Sequence, residues 1–303
     1  MTKLILTRRT TLLSALALAA CQPGEQTTVA APAVPPPDDP RFAAIEQTLQ
    51  GGALGVAALN TADGAWLRHR ADERFPMCST FKWILAAFVL SKVQEGALRL
   101  DSQVRYTAAD LLGNSPVAQA NVARGWMTIE EMCAATVSQS DNAAANLLFA
   151  QVGGPAALDD FGRAHGDSVT SFDRTEPELN QVAAGDERDT STAAAMAATM
   201  QRLLLTDSAL NEASRQRLIG WLEQTTTGMH RLRAGLPTGW RIGHKTGTSA
   251  QGAANDVAIL WPPNGAPILL SCFVLAPEAG DTVRDAAHAA VSRTVAETWG
   301  GVD

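Results

Sequence analysis

The stretch Met77-Cys78-Ser79-Thr80-Phe81-Lys82 runs directly into an apolar segment, Trp83 to Leu90, that contains no Gly or Pro. Such a run predicts a buried helix. If Ser79 lies in the first turn, Lys82 stands on the same face, and the helix N-terminus adds unpaired N–H groups and a positive dipole. A hydroxyl, an amine and N–H donors in one place are the parts of an acyl-transfer site. The same residues also fit an N-cap serine followed by a surface lysine, so the choice depends on the rest of the chain.

The length and charge of the chain exclude some classes of protein. Its 303 residues, 46% of them hydrophobic, suffice for one large domain or two interleaved ones with a substantial core. The formal charge is −7, and residues 21–303 alone carry 21 basic against 31 acidic residues. A nucleic acid is not an expected partner, because phosphate binding needs a basic surface. Lysine occurs only at positions 3, 82, 92 and 245, so two lysines inside candidate motifs are informative.

Residues 1–20 have the features of an export signal. A basic region precedes a short apolar stretch that could not span a membrane as a mature helix. Arg8-Arg9 fits a twin-arginine signal and an ordinary one equally well. Leu18-Ala19-Ala20-Cys21 resembles a bacterial lipobox, with plain cleavage beside an incidental cysteine as the alternative. We therefore expect an exported, periplasmic protein in which Cys21 is a lipidation candidate and the attachment point of a membrane tether.

Residues 21–40 are rich in Pro, Ala and Thr and predict an extended linker, so the folded domain should cover 41–303. The predicted elements are a helix at Phe42–Gln50, a hairpin of Gly55–Asn60 and Ala65–His69, a mostly helical stretch over 79–223, strands at Trp240–Lys245, Asp256–Trp261 and Ile268–Leu275, and a closing helix at Asp281–Trp299. Because strands lie at both ends of this order, the pattern predicts an α+β fold with an antiparallel sheet of about five strands, flanked by the N- and C-terminal helices. The α/β part comprises 41–76 and 224–303, the all-helical part comprises 77–223, and the cleft between them should hold the active site.

Two further short motifs support the acyl-transfer interpretation. Ser79-x-x-Lys82, Ser140-Asp141-Asn142 and Lys245-Thr246-Gly247 each occur once, in this order. Alone, Ser-Asp-Asn is also a helix-cap sequence and Lys-Thr-Gly is also a strand end. Together the three resemble the signature of class A serine β-lactamases and penicillin-binding proteins.

A fourth stretch distinguishes those two groups. Arg174-Thr175-Glu176-Pro177-Glu178-Leu179-Asn180, with Asp186-Glu187-Arg188-Asp189 after it, resembles the omega loop of class A serine β-lactamases. The resemblance extends from about Arg41 to the C-terminus with all motifs in register, and it implies a cis Glu176–Pro177 bond. A penicillin-binding protein stays acylated because it lacks a group that drives water onto the ester. A general base such as Glu176 would supply that group, an effect typically of about 10²–10⁴-fold.

The resemblance implies a role for each motif residue in hydrolysis of the β-lactam amide of penicillins and cephalosporins. The implied catalytic residues are Ser79 as nucleophile, Lys82 and Glu176 as alternative bases for acylation, Ser140 as proton relay to the lactam nitrogen, and Lys245, which would face the substrate carboxylate together with the Thr246 and Thr248 hydroxyls. The implied substrate-binding residues are Asn142, Asn180, Thr246, Gly247, Thr248 and Arg231. Backbone N–H groups of Ser79 and Thr248 would form the oxyanion hole, and Arg174 would pair with Asp189 across the neck of the loop. The implied outcome is antibiotic resistance through repeated turnover.

Arginine and cysteine usage refine this picture. Some relatives place a carboxylate-binding arginine after Lys-Thr-Gly, but here 252–255 lacks one, and Thr227-Gly228-Met229-His230-Arg231 resembles the alternative arrangement. In the carbapenem-hydrolysing subgroup the cysteine at position 78 is bridged to a cysteine two residues after Gly247, where this chain has Ser249. We therefore expect Cys78, Cys133 and Cys272 to be free and mostly buried.

Other functions are kept as alternatives. The five histidines lack metal-ligand spacing, so neither a metal nor another cofactor is expected, and a zinc β-lactamase is disfavoured. A penicillin-binding sensor that stays acylated and a D-alanyl-D-alanine carboxypeptidase would share the fold. Glu176 with Asn180 favours the β-lactamase, because neither alternative needs a deacylating carboxylate. No heptad seam is present, and a monomer is expected.

Overall fold

A five-stranded antiparallel sheet joins the two ends of the chain in the computed structural model, which describes Met1 and residues 35–300. The strands are β1 (Ala53–Asn60), β2 (Trp66–His69), β3 (Arg74–Pro76), β4 (Gln103–Arg105), β5 (Trp126–Thr128), β6 (Thr190–Thr192), β7 (Arg241–Thr248), β8 (Ala253–Trp261) and β9 (Ile268–Leu275). The sheet order is β2-β1-β9-β8-β7, and β1 pairs with β9 from Ala53↔Leu275 to Asn60↔Ile268. The predicted α+β fold with a sheet built from both chain ends is confirmed.

Helices cover both faces of this sheet. They are α1 (Pro40–Glu46), α2 (Lys82–Gln94), α3 (Pro116–Asn121), α4 (Ile129–Ser138), α5 (Asn142–Val152), α6 (Gly154–Ala164), α7 (Ala193–Leu205), α8 (Glu212–Glu223), α9 (Leu232–Gly235) and α10 (Asp281–Trp299). On one face the core joins strand residues such as Val56 and Leu270 to α1 and α10 through Phe42 and Val291. On the other face Phe273 belongs to a larger core that includes α2, α4, α5, α7 and α8. The sheet is therefore a layer between the terminal helices and the inner helical segment.

Helix α2 is buried on all sides, as its composition predicts. Ten consecutive residues from Lys82 to Ser91 are buried. Nine of them are apolar or small and carry no charge, whereas Lys82 is fully buried as well. A charged side chain is rarely buried in this way without partners, so the start of α2 points to a functional site.

Some boundaries differ from the predictions. The predicted Phe42–Gln50 helix begins at Pro40, capped by the Asp39 side chain, and its last turn is a 3₁₀ helix, Gln47–Leu49. The predicted mostly helical stretch contains three short strands, β4, β5 and β6, which pair as β4–β5 and β3–β6. Each has three residues, too few to show an alternating pattern in the sequence. The division of residues 41–303 into two parts stays an interpretation, since residues 36–303 cluster as one unit.

The predicted export signal, lipobox and most of the linker lie outside the described residues. Within the described part of the chain, no helix has the length and apolarity needed to cross a bilayer.

Candidate active site

The Ser79 hydroxyl lies where a 3₁₀ turn, Cys78–Phe81, leads into α2. Cys78 adopts a φ of +47°, and the Met77 carbonyl accepts hydrogen bonds from the Thr80 N–H and hydroxyl. The Ser79 oxygen is 3.0 Å from Lys82 Nζ and 3.1 Å from Glu176 Oε1. The serine thus lies just before α2 rather than inside it, and it contacts both groups that were predicted to accept its proton.

Lys82 is held by a ring of acceptors. Its Nζ donates to the Ser140 carbonyl at 2.9 Å and to Asn142 Oδ1 at 2.5 Å, and it lies 2.9 Å from Glu176 Oε1. Burial lowers the pKa of Lys82 below its ordinary value, because the charged form loses its hydration, and the Glu176 charge offsets only part of that. An amine with a lowered pKa beside a serine oxygen is suited to exchange a proton with it.

Ser140 is placed by the aspartate that follows it. Asp141 is fully buried; its Oδ1 caps α5 by accepting from Ala144 N–H, and its Oδ2 accepts from Val117 N–H and Ala118 N–H at the start of α3. The capping prediction from Ser-Asp-Asn is therefore correct, and the cap also joins two helices. It leaves Ser140, with a φ of +57°, directed at the cleft.

Lys245 lies below the cleft rather than on its wall. The side chain is fully buried and donates to Ser140 Oγ at 2.9 Å and to the Thr246 carbonyl at 2.8 Å. Burial, with the nearby Lys82 charge as the next cause, lowers the pKa of Lys245 well below its ordinary value. Ser140 Oγ lies within 3.5 Å of Lys82 Nζ as well, so the hydroxyl connects the two lysines.

Glu176 is fixed in the cleft by hydrogen bonds to its backbone and to its carboxylate. Asn146 of α5 donates to the Glu176 carbonyl at 2.8 Å and accepts from its N–H at 3.0 Å. Asn180 Nδ2 donates to Glu176 Oε2 at 2.6 Å, so the other carboxylate oxygen faces Ser79 and Lys82. Glu176 is 2% exposed, and the Glu176–Pro177 bond is cis.

The neck of this loop is closed by a carboxylate. Asp189 Oδ2 accepts from Arg174 Nε at 2.5 Å, the pair predicted from the sequence. Its Oδ1 also accepts from Asp173 N–H and Arg174 N–H at 2.9 and 3.0 Å. Asp189 is 4% exposed, so its charge is shielded and paired, which stabilises the base of the loop on which Glu176 stands.

Strand β7 forms the opposite wall and passes very close to the serine. A Cβ on Gly247 would lie 2.6 Å from the Met77 carbonyl and 3.1 Å from Ser79 N, so only glycine fits at this position. This approach brings β7 against the 3₁₀ turn that carries Ser79, as an oxyanion hole between Ser79 and Thr248 requires.

Arg231 reaches the same end of the cleft from another segment. Its guanidinium donates to Thr248 Oγ1 at 2.9 Å, to the Gly247 and Asn255 carbonyls, and to Asp285 Oδ1 at 2.9 Å. The Thr246 hydroxyl shares a 2.6 Å hydrogen bond with Thr227. A cation and two hydroxyls therefore face one part of the cleft, a set of groups suited to an anion.

The cleft has a volume of about 380 Å³. All the predicted site residues lie in or directly beside it, apart from the Arg174–Asp189 pair at the loop neck and Cys21, which lies outside the described residues. Its walls include Ser79, Ser140, Asn142, Glu176, Asn180, Arg231, Thr246, Gly247 and Thr248. The Asn142 side chain also has protein partners, because its Nδ2 donates to the Gly113 carbonyl while its Oδ1 accepts from Lys82.

Sequence reasoning missed three residues that shape the site. Asn146 holds the Glu176 backbone, Asn114 donates to the Ser140 carbonyl at 2.9 Å, and Asp285 pairs with Arg231. None belongs to a short motif, and each contacts a partner far along the chain. For Asn146 the available signal was its spacing, since it lies four residues after Asn142 and therefore on the same face of α5.

The cysteines are as expected from the sequence. Cys78, Cys133 and Cys272 are free and buried in the described part of the chain. Burial raises the pKa of the Cys78 thiol to about 12, although the thiol adjoins Ser249. A buried thiol that stays protonated is inert, because the thiolate is the reactive form.

Comparison with known proteins gives the family. The model of the β-lactamase enzyme family matches residues 40–299. The fold and the Ser79–Lys82–Glu176 arrangement agree with that match. The chain belongs to the β-lactamase enzyme family and, within it, to the class A serine β-lactamases.

Individual relatives cover most of the chain. β-Lactamase L2 of Stenotrophomonas maltophilia is 50% identical over 236 residues, which are 78% of this chain and 77% of that protein. The carbapenem-hydrolyzing β-lactamase KPC of Klebsiella oxytoca is 45% identical over 260 residues, 86% of this chain and 88% of that one. A solved ancestral class A β-lactamase superimposes with a TM-score of 0.84 at 51% identity, covering 86% of this chain and 99% of that structure. The resemblance inferred from the motifs is therefore confirmed.

Proposed function

We propose that this enzyme hydrolyses the β-lactam amide of penicillins and cephalosporins through an ester on Ser79, and that it thereby confers antibiotic resistance. The observation that carries the proposal is the position of Glu176. One oxygen of this buried carboxylate is 3.1 Å from the Ser79 oxygen and 2.9 Å from Lys82 Nζ, and the other is held by Asn180. A base so close to the nucleophile is what separates a turnover enzyme from a protein that stays acylated.

In acylation the Ser79 oxygen attacks the lactam carbonyl carbon, and the proton of its hydroxyl passes to a base. Lys82 and Glu176 are both at hydrogen-bond distance, and both assignments stand. The C–N bond then breaks, and the lactam nitrogen takes a proton from Ser140, whose oxygen contacts Lys245. Ser140 recovers a proton from Lys82, which either took it from Ser79 directly or receives it from Glu176, so the base is free again before deacylation. Backbone N–H groups of Ser79 and Thr248 would stabilise the oxyanion, where one donor is worth about 3 kcal/mol.

In deacylation Glu176 takes a proton from a water molecule as the water oxygen attacks the ester carbonyl. The ester C–O bond then breaks, and the proton returns to Ser79. Asn146 fixes the Glu176 backbone and Asn180 fixes its carboxylate for this step. Pre-positioning of this kind supports the reaction because the base needs no reorganisation when the water attacks.

Substrate recognition is proposed at two ends of the cleft. Thr246, Thr248 and Arg231 would bind the ring carboxylate, while Lys245, which is fully buried, would act through Ser140 and through the local field. Asn142 and Asn180 would face the amide side chain at the other end. Carbapenems are not part of the proposal, because Cys78 is a free thiol beside Ser249.

We also propose export to the periplasm, with Cys21 as the point of lipid attachment. The support is the sequence pattern alone: a basic start, a short apolar run and Leu18-Ala19-Ala20-Cys21. Mass spectrometry of the mature N-terminus tests this, since a diacylated Cys21 and an unmodified N-terminus differ in mass by the lipid. The monomeric state stays a prediction.

The function is tested with a chromogenic cephalosporin. Repeated turnover is expected, with Ser79→Ala forming no acyl-enzyme. A single stoichiometric burst without turnover would instead identify a penicillin-binding sensor. Release of D-alanine from a peptide ending in D-alanyl-D-alanine, without lactam turnover, would identify a carboxypeptidase.

A further inference from the structure

A buried histidine–carboxylate pair lies under the cleft wall and has no part in the proposed chemistry. His244 precedes Lys245 on β7, and Asp256 lies on the neighbouring strand β8. Both side chains are completely buried, and His244 Nδ1 is 2.9 Å from Asp256 Oδ1 and 3.1 Å from Oδ2. A carboxylate is an acceptor only, so the ring donates from Nδ1.

The pair faces the side of β7 on which the anion-binding groups stand. Side chains alternate along a strand, so His244 and Thr246 share one face while Lys245 points to the other. Thr246 is directly opposite Asp256 in the register of β7 and β8. Lys245, with its contact to Ser140, and the His244–Asp256 pair therefore lie on opposite faces of β7.

The segment that ends in Arg231 lies directly on this pair. Thr225 Oγ1 donates to the His244 carbonyl at 2.6 Å. A Cβ on Gly228 would lie 2.4 Å from Thr246 Cγ2, which is too close for any side chain. It would also be in van der Waals contact with His244 Cε1 at 3.5 Å and with Asp256 Oδ2 at 3.6 Å. With a φ of +68°, Gly228 gives the segment a turn that brings its backbone down onto the pair.

Asp256 then contacts the backbone immediately after the arginine. Its Oδ2 accepts from Leu232 N–H at 3.3 Å, and Arg231 N–H closes the turn by donating to the Gly228 carbonyl at 2.9 Å. The carboxylate is thus a bridge from His244 on the strand to the residue that follows Arg231.

We propose that His244 and Asp256 are positioning residues for substrate recognition: together they set where the Arg231 guanidinium stands beside Thr248. This inference rests on the proposed function, since it concerns how the ring carboxylate of the substrate is bound. The guanidinium is held at its tip by Thr248 and Asp285, whereas the Asp256 carboxylate holds the backbone N–H of the next residue, Leu232. A shift of about 1 Å in a substrate-binding group is enough to reduce the rate by up to about 100-fold.

The experiment compares two substrates and three variants. The substrates are a chromogenic cephalosporin and its methyl ester, which lacks the carboxylate charge. His244→Leu removes the donor to Asp256, His244→Asn keeps an N–H at nearly the same position, and Asp256→Asn removes the acceptor charge. His69→Leu is the matched control. His69 is a buried histidine on β2, at the opposite edge of the sheet from β7, and its Nε2 is 2.9 Å from the Glu46 carboxylate.

His244→Leu should reduce kcat/KM for the free acid about tenfold or more, the effect of losing about 1.4 kcal/mol of binding. It should leave kcat, and kcat/KM for the ester, within about twofold. His244→Asn should restore most of the difference, Asp256→Asn should reproduce the loss, and His69→Leu should change the two substrates equally. Equal losses on both substrates, or no loss for any variant at position 244 or 256, would overturn the proposal.

The proposed function is judged separately. Failure of the wild-type enzyme to turn over either substrate would refute the function, whereas turnover with an unchanged acid-to-ester ratio in the variants would refute only the positioning role. If His244→Leu does not fold, the ratio for Asp256→Asn decides.

Discussion

Asn146→Ala should impair deacylation. In the structure Asn146 donates to the Glu176 carbonyl at 2.8 Å and accepts from its N–H at 3.0 Å, and alanine removes both bonds. Each such bond contributes about 0.5–1.5 kcal/mol, and a buried peptide group left without a partner costs about 1–3 kcal/mol. The position of Glu176 beside Ser79 and Lys82 is therefore destabilised by about 2–4 kcal/mol in the variant. Because 1.36 kcal/mol is a tenfold change in rate, deacylation should fall by at most about 30- to 1,000-fold.

The assay is mass spectrometry of enzyme quenched during turnover of a slow cephalosporin, with the acylation burst followed in parallel. The acyl-enzyme should accumulate and the burst rate should stay near wild type if Lys82 takes the Ser79 proton, whereas a burst that slows in parallel would assign that proton to Glu176. Asn121→Ala is the control, since Asn121 makes one 2.9 Å side-chain bond to the Val117 carbonyl. If Asn146→Ala loses thermal stability as the control does but deacylates at the wild-type rate, Asn146 does not hold Glu176 and the reasoning is refuted.

Three further outcomes are expected. Glu176→Gln keeps the size of the side chain but not its basicity, so acyl-enzyme should accumulate and turnover should fall by about 10²–10⁴-fold in steady-state kinetics; near-normal turnover would assign deacylation to another group. Burial lowers the pKa of His288 from its ordinary 6.5 to about 4. The unfolded chain binds that proton more tightly, so the free energy of unfolding should fall by about 3 kcal/mol as pH drops from 6.5 to 4, and His288→Asn should flatten this part of a urea-unfolding profile. A profile just as steep in the variant would mean that other groups cause the pH dependence. Because burial raises the pKa of Cys78 to about 12 and those of Cys133 and Cys272 above their ordinary value, iodoacetamide near pH 8 should label none of the three in the folded enzyme and all of them in urea. Labelling without urea would contradict their burial.

The parts of the site that the sequence predicted are those whose geometry is local. Ser79 and Lys82 are three residues apart, across the 3₁₀ turn that leads into α2, so their contact follows from helical spacing. Asp141 caps α5 three residues on, and this too is a local rule. The order of strands and helices likewise predicted a sheet assembled from both chain ends, because strand patterns were present only there.

The parts that were missed depend on tertiary contacts. Asn146 meets Glu176 30 residues away, and Asp285 meets Arg231 54 residues away, distances over which no local pattern operates. Burial of Lys245 beneath the cleft was also not predictable, because alternation along β7 gives the face of a side chain but not its depth. The three-residue strands β4, β5 and β6 were missed because their pairing depends on which segments the helices bring together.

The pairing of β1 with β9 has a consequence for how the chain reaches this fold. During synthesis, the edge of β1 that faces β9 has no partner until nearly the last segment of the domain has emerged, since every residue from Ala53 to Asn60 pairs within 268–275. Contacts so distant in sequence form slowly, because the intervening loop must be closed before any pairing is gained. A growing chain that lacks Ile268–Leu275 therefore cannot complete the sheet, and the edge of β1 stays exposed to premature association until that segment is present.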